Sequence, residues 1–284
     1  MADGLQDIKG RTLYVVSCDQ RARGPDGTIM VAGTEFSAPN SYPGLTWGVG
    51  APSYVTAEAP RWLVIDTTDL DRHEGGVRIR SGKILCDGTL QDVADFLDRH
   101  GGSQRPHIAK KRAVGDWGVG ALGMLSDLTA SAYATAAIGN HSRATLADNC
   151  RVATGYRARL KGGDQSTLAL GDQTSCKVGH DAVIAAGEFV ETQAGDRAVV
   201  ASTKSGRASV GAGGVVVGSY ASLFRGGEGA IFVARAIDPE GTPTVAVGRV
   251  SPGGLKADQW YRVEAGSFVE VADDDAKTFA GAHK

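Results

Sequence analysis

A chain of 284 residues with 42% apolar and 22% charged side chains is long enough for one large or two modest hydrophobic cores, which excludes a disordered protein. A formal net charge of -2 points to no particular partner, and the ten acidic and ten basic residues between 115 and 234 argue against both a strong phosphate-tracking groove and a uniformly acidic mimic of nucleic acid. No run reaches the ~18 apolar residues of a membrane-spanning helix, and the Met-Ala-Asp-Gly-Leu-Gln-Asp start lacks the basic and apolar regions of a secretion signal. The four cysteines, Cys18, Cys86, Cys150 and Cys176, have no metal-ligand spacing and suit a reducing cytoplasm.

The chain begins with a loose terminus over residues 1 to about 10. Thr12 to Ser17 then reads as a strand, Gly24-Pro25-Asp26-Gly27 as a turn, and Thr28 to Ala32 as a second strand. Phe36 to Pro60, rich in Pro, Gly and Ser around Trp47 and Tyr54, reads as a packed loop where a pocket could form. Arg61 to Asp66 and Gly76 to Leu85 read as strands, the second broken by a tight turn at Ser81-Gly82-Lys83. Thr89 and Asp92 have the spacing of a capping box, opening a helix over Leu90 to Arg99 that Gly101-Gly102 stops. Residues 1–106 are therefore expected to form a small α+β domain, and residues 107–114 (with Lys110, Lys111 and Arg112) a basic, solvated linker.

From Gly115 to Ala234 the sequence is an uninterrupted series of octapeptides, a repeat that sets the fold. The first slot is Gly except at Ser131, Ala147, Thr203 and Ser219, and reads as the turn. Slots four, six and eight are small or apolar while five and seven point the other way, the period-2 signature of a strand. Splitting the octads into odd and even members reveals a longer period. Slot seven holds Ala121, Ala137, Ala153, Ala169, Ala185, Ala201, Val217 and Val233 in odd octads, but Thr129, Thr145, Lys161, Lys177, Gln193, Ser209 and Arg225 in even ones. Sixteen-residue coils of two octads predict a mainly β protein, a flattened parallel β-solenoid about 35 Å long at the ~4.8 Å strand spacing. After it, residues 235–272 alternate like strands separated by Asp-Pro-Glu-Gly and Ser-Pro-Gly-Gly turns. They are expected to cap the open end with Trp260 and Tyr261 folded across it. Residues 273–284 read as a disordered tail.

The two outer faces predict different partners. The odd face (Ala137, Ala153, Ala169, Val183, Ala185, Val199, Ala201, Val215 and Val217) is flat and nearly uncharged, and is expected to pair with a second copy about a two-fold axis, favouring a dimer. The even face carries Arg143, Arg159, Lys161 and Lys177 on adjacent coils, a candidate anion patch flanked by Asp127 and Glu191 and continued by Arg207 and Arg225. Asp148, Asp164, His180 and Asp196 stack in one slot, where bonding to the corner backbone explains them better than a cation site. His141 and His180 fall on opposite edges. No nucleophile beside a base and no metal-ligand cluster stands out, so no catalytic residue, metal or cofactor is assigned.

Two octads, Gly-Asp-Gln-Ser-Thr-Leu-Ala-Leu and Gly-Asp-Gln-Thr-Ser-Cys-Lys-Val (163–178), resemble those of bacterial ice-nucleation proteins. Ice binding is nevertheless rejected, because the even face mixes charges and the odd face offers Ala and Val beside Thr135 and Thr167. The chain as a whole resembles a group of bacteriophage and prophage proteins with an Arg-aromatic strand (Arg61 to Asp66), a basic strand leading to a helix (Arg80 to Val93), Gly-Asp repeats and a closing Gly-x-Leu-Lys-Ala-Asp-Gln-Trp-Tyr-Arg-Val segment, here from 254. The Phe-His-x-Cys stretch common in that group is absent between Phe36 and Pro43. The resemblance implies a β-solenoid in a phage setting and supplies no activity. The resulting expectation is a non-enzymatic, oligomeric phage accessory protein in the host cytoplasm, binding a host protein or sequestering a nucleotide-derived signal, with neither membrane nor nucleic acid as partner. A ligand would then contact the odd-face interface or Trp47, Tyr54 and Arg61. The alternatives are a nucleotide-acting enzyme in the N-terminal domain, using Arg21, Arg23 and Tyr54, and a virion structural element.

Overall fold

The computed structural model describes residues 11–18, 30–48, 52–56, 59–74, 76–102, 105–238 and 240–276. The chain divides into two compact units, residues 1–111 with 121–127, and residues 112–120 with 128–284.

In the first unit, among the described residues, five strands form an antiparallel sheet in the order β2-β1-β3-β5-β4. They are β1 (Leu13–Cys18), β2 (Glu35–Thr46), β3 (Arg61–Asp66), β4 (Leu70–His73) and β5 (Gly76–Gly88). β2 also pairs with β5, so β1, β2, β5 and β3 close into a ring. This closure explains why β1 and β3 are apolar on both sides, since alternate residues enter two cores. Tyr14, Val16, Leu63 and Ile65 join Ile79 and Ile84 in one, while Leu13, Val15, Trp62 and Val64 pack in the other beneath helix α1 (Leu90–Leu97). Thr89 and Asp92 complete both bonds of the capping box, and a π-type turn over Asp98–Gly102 ends the helix.

Three local expectations are corrected. Part of the segment read as a packed loop is the twelve-residue strand β2. A bulge between Ser37 and Tyr42, with Ser41 at φ 56°, takes up the irregular stretch that made it look loop-like. β5 is continuous through Ser81-Gly82-Lys83. Gly82 is needed there because a Cβ would lie 2.8 Å from the Asp66 carbonyl oxygen. Of the strand expected at Thr28 to Ala32, the first two residues lie outside the described residues, and Val31 instead starts a turn in which the Thr34 N–H donates to its carbonyl (3.1 Å). The residue 1–10 terminus also lies outside the described residues.

The segment read as a solvated linker is buried over residues 107–110, while Lys111 and Arg112 are exposed as expected. His107 is fully enclosed, its ring nitrogens 2.9 Å from the Ile108 carbonyl oxygen and 3.0 Å from Asp98 Oδ1. Lys110 is buried too, with Nζ 3.7 Å from the same carboxylate, and Lys111–Val114 is a strand.

The solenoid has the predicted 16-residue coil. Parallel strands pair at that interval, as in Arg143↔Arg159 on the even side and Arg151↔Thr167 on the odd side. Among the described residues the even sheet has ten strands and the odd sheet nine, counting the C-terminal strands. Strand residues alternate exposed and buried, so slots six (Leu160, Leu168, Ile184, Val200) and eight (Leu170, Val178) fill a narrow interior.

The corner turn opens at the first slot, as expected: the Gly118 N–H donates to the Gly115 carbonyl and that of Ala134 to the Ser131 carbonyl. The left-handed residue is the third slot, where every residue from Ala109 to Ser205 has φ between 50° and 60° although none is glycine. The first-slot glycines answer to stacking instead. A Cβ on Gly171 would lie 2.5 Å from the Gly155 carbonyl oxygen of the preceding coil, and one on Gly195 2.8 Å from the Gly179 carbonyl carbon. The second-slot acids form a ladder between coils: the backbone N–H of Asp164 donates to Asp148 Oδ1, and that of His180 to Asp164 Oδ1, both at 2.8 Å. Asn140 and Asp172 do the same on the other edge.

Antiparallel strands close the C-terminal end. Pro243–Arg249 pairs with Ile231–Ile237, and Trp260–Glu264 pairs with Ser267–Val271. Because neighbours in a strand point to opposite faces, Tyr261 turns inward with Phe268 onto Phe224 and Phe232, while Trp260 turns outward to pack with Leu223, Val271 and Ala276. The supposed disordered tail therefore starts in an ordered turn: the Ala276 N–H donates to the Ala272 carbonyl (3.0 Å). Residues 277–284 lie outside the described residues.

Candidate anion-binding trough

The outward even face forms a shallow trough of about 680 Å³, with Trp260 among the residues that line it. Strand register decides how its cations meet. Arg143 lies beside Arg159 and Lys161 beside Lys177 on neighbouring strands, while Arg159 and Lys161 are two residues apart on one strand and so share a face. Four positive side chains thus crowd onto three strands spanning about 10 Å. Among the described residues none of the four has a carboxylate within 4 Å or a side-chain hydrogen bond. Thr145, Ser175 and Gln193 supply neutral polar groups in the same rows.

The other end of the trough is pinned. Arg207 Nη1 lies 3.2 Å from Glu191 Oε1, and its guanidinium sits 4.5 Å from the Trp260 ring centre. Arg225 approaches the same ring at 5.8 Å and Asp258 at 3.9 Å. Trp260 is only 4% exposed, so it serves as a wall that orients two guanidinium groups and leaves little ring face for a ligand. Arg207 Nε is buried without a hydrogen-bond partner among the described residues. Beneath the cations, Cys176 points inward, and burial pushes its thiol up to about 12, which keeps it neutral and a poor nucleophile. The lining thus offers cations, hydroxyls and amides, the chemistry of holding an anion.

The other predicted residues are placed as follows. Trp47 is buried in the core with Leu13, Trp62 and Leu97, with the Arg105 guanidinium 5.2 Å from its ring centre. Tyr54 packs against the same core, its ring occupying the space that a Cβ on Gly76 would need. Arg61 is paired with the Asp87 carboxylate. Trp47 and Tyr54 are therefore together, but as core packing, and Arg61 already has its counter-charge. Arg21 and Arg23 lie outside the described residues. Ala137, Ala153, Ala169, Val183, Ala185, Val199, Ala201 and Val217 stand exposed on the odd sheet, with Val215 half-buried among them. Among the described residues no cluster of His, Cys, Asp or Glu could hold a metal ion, and no helix is long and apolar enough to cross a membrane.

The role of Trp260 in the trough escapes a reading that treats Trp260 and Tyr261 as one cap. The signal was present in strand alternation, which sends only one of two adjacent aromatics to the core. No family model, curated protein or solved structure matches the chain.

Proposed function

We propose that this chain is a binding protein whose even-sheet trough holds a small, multiply phosphorylated molecule of the nucleotide-derived class. Its setting on this reading is that of a phage accessory protein sequestering such a signal in the host cytoplasm. The observation that carries the proposal is the set of four cations, Arg143, Arg159, Lys161 and Lys177, that share three adjacent strands without an acidic partner among the described residues. Like charges on neighbouring strands repel, so the unliganded sheet is weakened by this arrangement and an anion spread over it relieves the strain. Arg supplies paired donors to phosphate oxygens and Lys a mobile point charge, so together they suit several phosphates at once. A compact ligand is favoured over a nucleic-acid strand because the free cations cover only about 10 Å, beyond which come Glu191 and the Trp260 wall.

Titration calorimetry with inorganic tripolyphosphate, ATP and a cyclic dinucleotide as probes tests this. At least one probe should bind with micromolar or better affinity, and Arg159→Glu with Lys161→Glu should weaken it at least tenfold while circular dichroism stays unchanged. Absence of binding by all three, or equal binding by the double variant, would overturn the proposal, as would tighter binding of duplex DNA than of any probe.

A further inference from the structure

We propose that the odd face is covered by a second copy of this chain, packed sheet against sheet about a two-fold axis that runs parallel to the solenoid. This goes beyond the ligand reading and does not depend on it. The outward side chains of the odd strands carry no charge from Ala153 to Val233, and apolar surface continues onto the strand Pro243–Arg249, where Val245 and Val247 are 62% and 67% exposed, bordered by Arg235 beside Val245 and Arg249 beside Ile231. Extending an exposed apolar sheet past the end of the repeat makes a contiguous patch rather than scattered residues. The outer edge of that last strand, by contrast, is blunted. Pro243 has no N–H to offer, and the Arg249 carbonyl accepts a hydrogen bond from Leu255 (3.0 Å), so the face is better suited than the edge to receive a partner.

The relief of the face identifies the occupant. In slot five Val183, Val199 and Val215 stack in register as a ridge, and in slot seven Ala169, Ala185 and Ala201 stack as a groove beside it. A two-fold axis along the solenoid exchanges the two rows. Val183 and Val199 of each copy then lie over Ala185 and Ala201 of the other, at the ~10 Å spacing of packed sheets, while Val215 meets Val217. An axis along the strands would set ridge on ridge. Arg151, at the margin of the patch, meets Ala153 of the second copy rather than another arginine. An unrelated protein would need the same neutral relief repeated at the strand spacing; a second copy has it by construction.

The strands from Arg151–Thr154 to Pro243–Arg249 would bury on the order of 1,000 Å² in total, the lower bound of a specific interface, which predicts a dissociation constant in the micromolar range. Sedimentation velocity from about 1 to 100 µM brackets that range. A monomer–dimer equilibrium is expected, weakened at least tenfold by Val199→Glu and equally by Val183→Lys, both exposed positions where the fold tolerates charge. A single chain at every concentration, or a dimer indifferent to both charged variants, would overturn the proposal.

Discussion

The Arg207 guanidinium lies 4.5 Å from the centre of the Trp260 ring, which joins the last part of the basic trough to the strand pair that closes the solenoid. Cap and trough therefore share one residue. Trp260 is 4% exposed and packs on Leu223, Val271 and Ala276, so Trp260→Ala opens a cavity beneath the cap. A loss of about 3–5 kcal/mol is expected, measured by urea unfolding. Trp260→Leu keeps most of the apolar contact and should cost less, while leaving Arg207 without its ring. If the two variants cost the same, packing by the large ring is not what stabilises this end.

The corner geometry gives a pair of substitutions with opposite signs. Gln165 holds φ 56° without being glycine, a conformation that disfavours a side chain, so Gln165→Gly should stabilise the chain by up to about 1 kcal/mol. Gly171 has an ordinary φ, yet an added Cβ would lie 2.5 Å from the Gly155 carbonyl oxygen, with backbone that cannot yield easily. Gly171→Ala should cost about 1–3 kcal/mol. Chemical denaturation of both variants decides whether close stacking or turn conformation places glycine in the first slot.

How far the sequence reveals the molecule follows from these same residues. The coil length was readable because slot seven alternates between Ala137 or Ala169 and Lys161 or Lys177, and outward side chains report directly on which sheet they occupy. The corner was readable from the first-slot glycines, but not which residue bears the positive φ: the neighbouring coil excludes the Cβ at the first slot, and Gln165 or Tyr133 in the third is left-handed. The buried state of His107 and Lys110 was invisible because it depends on Asp98, which arrives from the end of a helix. β2 was obscured by Pro39 and Pro43 within it, which a bulged strand accommodates. In the trough, the four cations were legible as a stacked row, but the Arg207 and Trp260 pairing required the antiparallel return of a strand about 50 residues later, which no local pattern encodes.

Crowding cations on one sheet should separate stability from binding. Lys161 stands between Thr145 and Lys177 in its row and beside Arg159 on its strand. Lys161→Thr removes like-charge repulsion and should stabilise the unliganded chain by a few tenths of a kcal/mol at low ionic strength. That gain should shrink in 1 M salt, where screening acts within about 3 Å. The same variant should bind tripolyphosphate more weakly than the parent. A variant that is both less stable and a weaker binder would place Lys161 in a structural role.

A second inter-coil charge pair sets an acid dependence. Arg197 donates from Nε and Nη2 to the two Asp181 carboxylate oxygens, at 2.8 and 2.6 Å, across sixteen residues. The hydrogen bond from Arg197, with its charge, holds the Asp181 carboxyl below the ordinary carboxylate range. A folded-state pKa lower than the unfolded one stabilises the fold at pH values above the unfolded pKa, and that contribution disappears as the pH falls through both. Thermal melts at pH 7, 5 and 3 should therefore show Asp181→Asn below the parent at pH 7, with the gap closing toward pH 3. Asp92, lowered by its bonds from Thr89, acts in the same direction and is present in both proteins, so it does not contribute to the difference. The pair is exposed and the effect is small, and 1 M salt should reduce it further. A gap that stays constant with pH would mean that Asp181 acts through packing and hydrogen bonding rather than through its charge.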